Sequence, residues 1–183
     1  TKPKNIFDIG ANIGAASFFF AEHYPESKIY AFEPSSTILP ILRKNLNKYK
    51  NVSIINKAAK DVSKKNSKLF IDSHNYDGSS LYTEYMHSND LHINNFEIVE
   101  TVNIADFCLQ KKIKQIDILK IDAEGSEYDI MHSLNNSLFE ISVIYCESHN
   151  PQNHIRINAF LEKTHKIVKD YQKNNKLFET VYV

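Results

Sequence analysis

Two apolar runs late in the chain end in groups able to move a proton: IDILKIDAEG carries Asp122, and ISVIYCESHN carries Glu147 and His149. A carboxylate or imidazole within hydrogen-bond reach of a reacting group's proton assists its removal by roughly a hundredfold or more. Asp122, Glu147 and His149 are therefore the candidates for a general base. Asp122 and Glu147, together with the amide of Asn150, also offer hard oxygens of the kind that hold magnesium, which would stabilise a developing negative charge. Each residue has a plainer structural use as well. Glu147 could pair with Lys120, His149 could cap the next helix, and Asp122 could orient backbone N–H groups.

A second set of candidates sits near the N-terminus, in KNIFDIGANIGAAS. Ile6, Phe7 and Ile9 make a buried strand, Gly10 permits backbone angles closed to other residues, and Gly14 lets the following helix press on that strand. The unpaired N–H groups of such a turn, with the positive end of the helix dipole, suit a carboxylate or phosphate. KIYAFEP then ends in Glu33, close to the roughly 20-residue offset at which nucleotide-binding folds place an acid on ribose hydroxyls.

These groups need a scaffold, and the apolar pattern describes one. AASFFFAEHY reads as a helix apolar nearly all round, stopped by Pro25, and KIYAF is a second strand. Ser35 or Ser36 caps a helix whose buried stripe is Ile38, Leu39, Ile41, Leu42, Leu46 and Tyr49, and NVSIINK is a third strand. Strand, helix, strand, helix, strand within about fifty residues is the pattern of a parallel sheet covered on its faces. Further strands are expected at Lys68–Ile71, near Val99–Ile104, in IDILKIDAEG and in ISVIYCESHN, with helices at Ala105–Lys111 and from Ser126. Ile157, Phe160, Leu161, Ile167, Val168 and Tyr171 define a last amphipathic helix, and KLFETVYV closes as a strand. The stretch 73–95 has no regular pattern apart from a turn at Asp77 and Gly78. It is expected to be a substrate loop or lid, with His74, Tyr76, Tyr82, Tyr85, His87 and His92 available to line a pocket. Nearly every polar cluster falls at a strand's carboxyl end, where open α/β sheets bind ligands.

Composition narrows the partners. The 183 residues carry 22 basic and 22 acidic side chains, so no global field draws the chain to nucleic acid or an anionic membrane. Cys108 and Cys146 lack metal-ligand spacing, and neither a signal peptide nor a bilayer-length apolar run is present. The expectation is one cytoplasmic domain over 1–183 with reduced thiols, taking a small molecule. Opening at Thr1 without a methionine, the chain reads as processed or as a fragment lacking an N-terminal helix.

FDIGANIG, YAFEP, NKAAKD, GSSL, LKIDAEGSE and YCES, in this order and at these intervals, resemble the FkbM family of S-adenosylmethionine-dependent methyltransferases from about Asn5 to Glu147. The resemblance implies a Rossmann-like methyltransferase fold, α/β with a mostly parallel central sheet and helices on both faces. It also implies O-methylation of a hydroxyl on a small molecule such as a sugar or polyketide. Carried onto this chain, Asp8, Gly10, Ala11, Asn12 and Gly14 would surround the methionine part of the cofactor. Glu33 would hold its ribose, and Lys57 and Ala58 would lie beside its adenine. Ser79 and Ser80 match the serine pair of the middle loop, while Asp122, Glu124 and Gly125 match the fourth-strand motif near the reacting methyl. Two departures are the nearly absent region before the first strand and the lack of an obvious final antiparallel hairpin.

Other functions fit less well. A nicotinamide-dependent dehydrogenase would also use Glu33, but GANIG lacks the G-x-G-x-x-G spacing that brings backbone against a pyrophosphate. Base methylation of nucleic acid is opposed by the neutral charge, and NPQN lacks the paired proline and aromatic found in enzymes of that kind. A non-catalytic cofactor-binding scaffold is the remaining class.

Overall fold

The computed structural model describes residues 2–72, 78–88, 91–134 and 139–183. The chain begins β1 (Asn5–Ile9), α1 (Ala15–His23), β2 (Lys28–Phe32), α2 (Leu39–Leu46), β3 (Val52–Ile55) and β4 (Ala58–Lys60). It continues β5 (Ser67–Asp72), α3 (Thr83–Ser88), β6 (Ile93–Val99), β7 (Thr101–Asn103), α4 (Ile104–Lys111) and β8 (Gln115–Asp122). Last come α5 (Glu127–Ser133), β9 (Glu140–Ser148), α6 (Pro151–Leu161), β10 (Ile167–Gln172) and β11 (Phe178–Tyr182).

Residue parity along β1 explains the layering. Ile6 joins an apolar cluster with Ala21 and Ile29, whereas Phe7 and Ile9 join another with Phe107, Ile130, Met131 and Ile157. Side chains leave a strand alternately on its two sides, so a sheet apolar at both parities must be covered twice. Helices α1 and α2 cover one face, and α4, α5 and α6 the other. Phe7, Tyr30, Phe32 and Phe107 form an aromatic knot with centroids 5.0 to 5.9 Å apart. Each such burial contributes about 1.5–3 kcal/mol.

The main sheet has seven strands in the order β10-β11-β9-β8-β1-β2-β3. The five from β9 to β3 are parallel, β11 runs antiparallel to β9, and β10 antiparallel to β11. The order reverses between β1 and β8, because the chain moves outward through β2 and β3 and returns to the other side of β1. At such a switch point the loops leave in opposite directions and open a cleft at the carboxyl ends. Two small pairs, β4–β7 and β5–β6, lie outside this sheet.

Several expectations need correction. Ile167, Val168 and Tyr171 belong to edge strand β10 and not to the last helix, which ends at Leu161. The Leu161 carbonyl accepts from the N–H groups of both Thr164 and His165 as the chain leaves the helix. Pairing with β11 then overrides the helical spacing, and β10–β11 is the antiparallel hairpin that the sequence did not reveal. The strand expected near 99–104 divides into β6 and β7, Ile104 opens α4, and β8 stops at Asp122. Within 73–95 the described residues include α3 and the start of β6, so the stretch is only partly irregular. His74, Tyr76 and Asp77 lie outside the described residues. Helix α1 is not buried all round: Phe18 and Phe19 are about half exposed, since sheet and α2 cover only one of its sides. Ile41 is exposed likewise. Gly14 meets α2 rather than the strand, for a Cβ there would lie 2.8 Å from Leu42 Cδ1.

Candidate active site

The switch-point cleft holds about 680 Å³ of space between atoms, part of it open to solvent. Its floor is the Gly10–Asn12 turn against the end of β8. Gly10 has φ of 74°, and a Cβ on it would lie 1.7 Å from the Asp122 carbonyl oxygen, so glycine is required both by conformation and by space. One wall is Glu33, Pro34, Ser35 and Ile38; another is Lys57, Ala58, Ala59 and Leu69; Ser79, Asp122, Ala123 and Glu124 complete it. The Glu33 carboxylate accepts hydrogen bonds from the backbone N–H groups of Asn12 (2.9 Å) and Ser35 (2.8 Å). Burial raises its pKa above the usual carboxylate value, with those N–H groups partly offsetting the effect. Asn12 and Glu124 both hold φ of 48°, uncommon for residues other than glycine, and both line the cleft.

Of the residues assigned to the cofactor, Gly10, Asn12, Glu33, Lys57, Ala58, Ser79, Asp122 and Glu124 line this cleft, and Asp8, Ala11, Gly14 and Ser80 do not. Asp8 is fully buried beneath the turn, accepting from Ser17 Oγ at 2.6 Å and facing Lys120 Nζ at 3.4 Å. Lys120 Nζ also lies 3.4 Å from Asp122 Oδ2 and donates to the Gly10 carbonyl at 2.7 Å. The turn is thus tied to β8 by one ammonium between two carboxylates. Burial disfavours that cation, but the two acids outweigh it and the Lys120 pKa is raised. Ala11 is buried with Leu39, Leu42 and Leu46. Ser80 is buried and donates to the Glu124 carbonyl at 2.6 Å, so it shapes the fourth-strand loop from behind.

A second, more open cleft adjoins the first at Glu124 and is lined also by Tyr85, Glu147, His149 and the 174–177 segment between β10 and β11. Asp122 and Glu147 are register partners on adjacent strands. His149 stands among four carboxylates. Its Nδ1 is 2.8 Å from Glu127 Oε1, while its Nε2 lies 3.4 Å from Glu124, 3.7 Å from Asp122 and 3.9 Å from Glu147. Burial works against the imidazolium, yet the Glu127 hydrogen bond and the charges of Glu127, Glu124 and Asp122 push its pKa up to about 9. Burial likewise pushes Glu124 up to about 7, with His149 and a hydrogen bond from the Tyr85 hydroxyl acting against it. Glu147 is raised by burial and by Asp122.

The plainer roles weighed for Glu147 and His149 are not the ones found. Glu147 faces Lys173 at 3.8 Å, and Lys120 is engaged by Asp8 and Asp122. Asn150, not His149, caps α6, its side-chain oxygen accepting from Asn153 N–H at 2.7 Å. That use takes Asn150 out of the expected magnesium set, and the described residues bring together Asp122, Glu124 and His149 instead. Among the middle-loop aromatics, Tyr85 lines the second cleft, whereas the Tyr82 hydroxyl donates to Asp129 and His87 is exposed.

The sequence concealed two organisers. Glu127 reads as an ordinary first-turn acid of α5, yet it is fully buried and accepts from the N–H groups of Ala123 and Gly125 as well as from His149. Lys120 reads only as part of the polar end of an apolar strand and as a partner for Glu147. The available signal for both was a charge where the pattern demands burial, since buried charges require partners.

Residues 8–173 match the family described as "Methyltransferase FkbM domain". The chain is 26% identical over 151 residues to "Methyltransferase 1" of Beauveria bassiana (strain ARSEF 2860), covering 74% of this chain and 60% of that protein. It is 24% identical over 153 residues to "2-O-methyltransferase NoeI" of Sinorhizobium fredii (strain NBRC 101917 / NGR234), covering 78% and 62%. The chain therefore spans about three fifths of the length of these curated relatives. Among solved structures, Aeropyrum pernix fibrillarin with natively bound S-adenosyl-L-methionine superimposes with a TM-score of 0.58 at 10% identity, covering 100% of this chain and 66% of that one. This is a likeness of fold. With the family matched across nearly its whole length and the strand order of a Rossmann-like methyltransferase, the chain belongs to the FkbM methyltransferase domain family.

Proposed function

We propose that this chain is an S-adenosylmethionine-dependent methyltransferase domain that methylates a hydroxyl on a small molecule, such as a sugar or polyketide. The observation that carries the proposal is the pair of clefts meeting at Glu124, one at the switch point and floored by the Gly10 turn, the other lined by Glu147 and His149. The residues of the first cleft fit the cofactor. Glu33 keeps a carboxylate at the end of β2 where ribose hydroxyls can donate to it, and Lys57 and Ala58 offer a wall for adenine. When bound, S-adenosylmethionine supplies an electrophilic methyl on a sulfonium and leaves as a thioether. What this chain must add is alignment, worth on the order of 7–11 kcal/mol, and a proton acceptor. Glu147 is the base this geometry favours: it borders the acceptor cleft, whereas Asp122 is held by Lys120 and the His149 Nδ1 by Glu127. The relative named as a 2-O-methyltransferase supports oxygen as the accepting atom. The zero net charge favours a small acceptor over nucleic acid. A dehydrogenase reading finds no support in the site or among the relatives.

Calorimetry and thermal melting with S-adenosylhomocysteine test this reading. At about 100 times its dissociation constant the ligand should stabilise the fold by roughly 2.7 kcal/mol, and NAD should not. Glu33→Ala should weaken S-adenosylhomocysteine by tenfold or more, because charged acceptors make the stronger hydrogen bonds. Stabilisation by NAD alone would overturn the cofactor, and unchanged affinity in a folded Glu33→Ala would remove the ribose role.

A further inference from the structure

His149 offers more than a candidate base, because its two nitrogens have different company. Nδ1 is fixed by the fully buried Glu127, whose second oxygen has no hydrogen-bond partner among the described residues. Nε2 is nine-tenths buried with its ring and faces carboxylate oxygens of Glu124, Asp122 and Glu147, all too distant for an ordinary hydrogen bond. Asp122, Glu124 and His149 bring one ligand atom each to within 4.8 Å of one another. Ligand atoms around one four-coordinate ion with bonds of about 2.1 Å lie about 3.4 Å apart, so modest rotation of two partly exposed carboxylates would close the set. Histidine ligands of metals almost always donate the N–H of the far nitrogen to a carboxylate, a backbone carbonyl or water, and Glu127 supplies the first of these, fixing the tautomer and turning Nε2 to the ion.

We propose that His149 Nε2, Asp122 and Glu124 bind a divalent first-row transition ion of the manganese, iron or zinc class at the junction of the two clefts, with Glu127 as the positioning residue. The nitrogen ligand disfavours magnesium, which takes oxygens and keeps much of its water. Glu147 lies outside the ligand set and keeps its part. Its role in transfer rests on the methyltransferase reading above; the binding of the ion does not. With an acceptor hydroxyl oxygen as a further ligand, the hydroxyl proton passes to Glu147, a C–O bond forms to the methyl, and the C–S bond breaks with its electron pair remaining on sulfur.

The test uses the whole chain, stripped with a chelator and titrated with Mn2+ by electron paramagnetic resonance and with Zn2+ by calorimetry. One ion per chain should bind, with magnesium at least tenfold weaker. Bound Mn2+ should show coupling to an imidazole nitrogen in pulsed spectra, a signature that requires no variant. Glu124→Gln should weaken the ion at least tenfold, and Glu127→Gln by about 10- to 100-fold. Circular dichroism and the melting temperature, measured on every sample, report folding, and S-adenosylhomocysteine affinity of the unsubstituted chain tests the methyltransferase reading separately. Protonated His149 alone is the competing account of this cluster. No saturable binding, binding without nitrogen coupling, or affinity unchanged in Glu124→Gln would overturn the proposal.

Discussion

Glu147→Gln should lower turnover by about a hundredfold or more while leaving S-adenosylhomocysteine affinity within about twofold. The change keeps the size of the side chain and removes only its ability to take a proton. Glu147 lines the second cleft and not the first, so cofactor affinity should not register its loss. The strand should not register it either, because β9 is held by backbone pairing to β8 and β11. Glu147 also stands 3.8 Å from Lys173, which has Glu179 at 2.5 Å as its nearer partner. Losing that weak contact should shift the melting temperature little, as half-exposed ion pairs contribute about 0–1 kcal/mol. A screen of sugars and polyketide-like alcohols with labelled cofactor would supply the acceptor. Full turnover in Glu147→Gln would move the base to Asp122 or His149.

Gly10→Ala should cost both stability and cofactor binding. The added Cβ would lie 1.7 Å from the Asp122 carbonyl oxygen and 2.9 Å from its carbon, and these are backbone atoms that cannot rotate away. The φ of 74° adds roughly 1–2 kcal/mol for any side chain in the left-handed region. Strand ends β1 and β8 must then separate, which strains the Lys120 contacts to Asp8, Asp122 and the Gly10 carbonyl. The expected loss is about 3 kcal/mol or more, or about 6 °C or more in Tm for a chain of this size. Because the same movement deforms the cleft floor, S-adenosylhomocysteine affinity should fall at least tenfold in whatever remains folded. Gly14→Ala is the control. Its φ of 93° is also left-handed, but its Cβ meets the side chains of Leu42 and Leu46 and not the backbone of β8, so it should destabilise with less effect on the ligand. Equal ligand affinity in Gly10→Ala and the parent would show that the turn does not floor the site.

The parallel core was legible because its signals are local. An apolar run of four or five residues, a glycine that must turn, and a helix with one apolar side each constrain only neighbouring residues, and their succession from Asn5 to Ile55 and from Gln115 to Ser148 implies parallel pairing. Acids at the carboxyl ends, among them Glu33, Asp122 and Glu147, follow from the same pattern. Tertiary structure alone decided which of them face a cleft. Asp8 and Gly10 are two residues apart, yet Lys120 and Ser17 hold the first beneath the turn while the second floors the cleft. The spacing at Ile167, Val168 and Tyr171 suits a helix, and only the arrival of β11 beside β9 makes it a strand. The ring of carboxylates around His149 draws on residues 122 to 149, from the ends of β8 and β9, the loop after β8 and the first residue of α5, and no local pattern encodes it. Short-range sterics and burial write the strands, turns and helices into the sequence; the charges that share one low-dielectric pocket are set by distances through space.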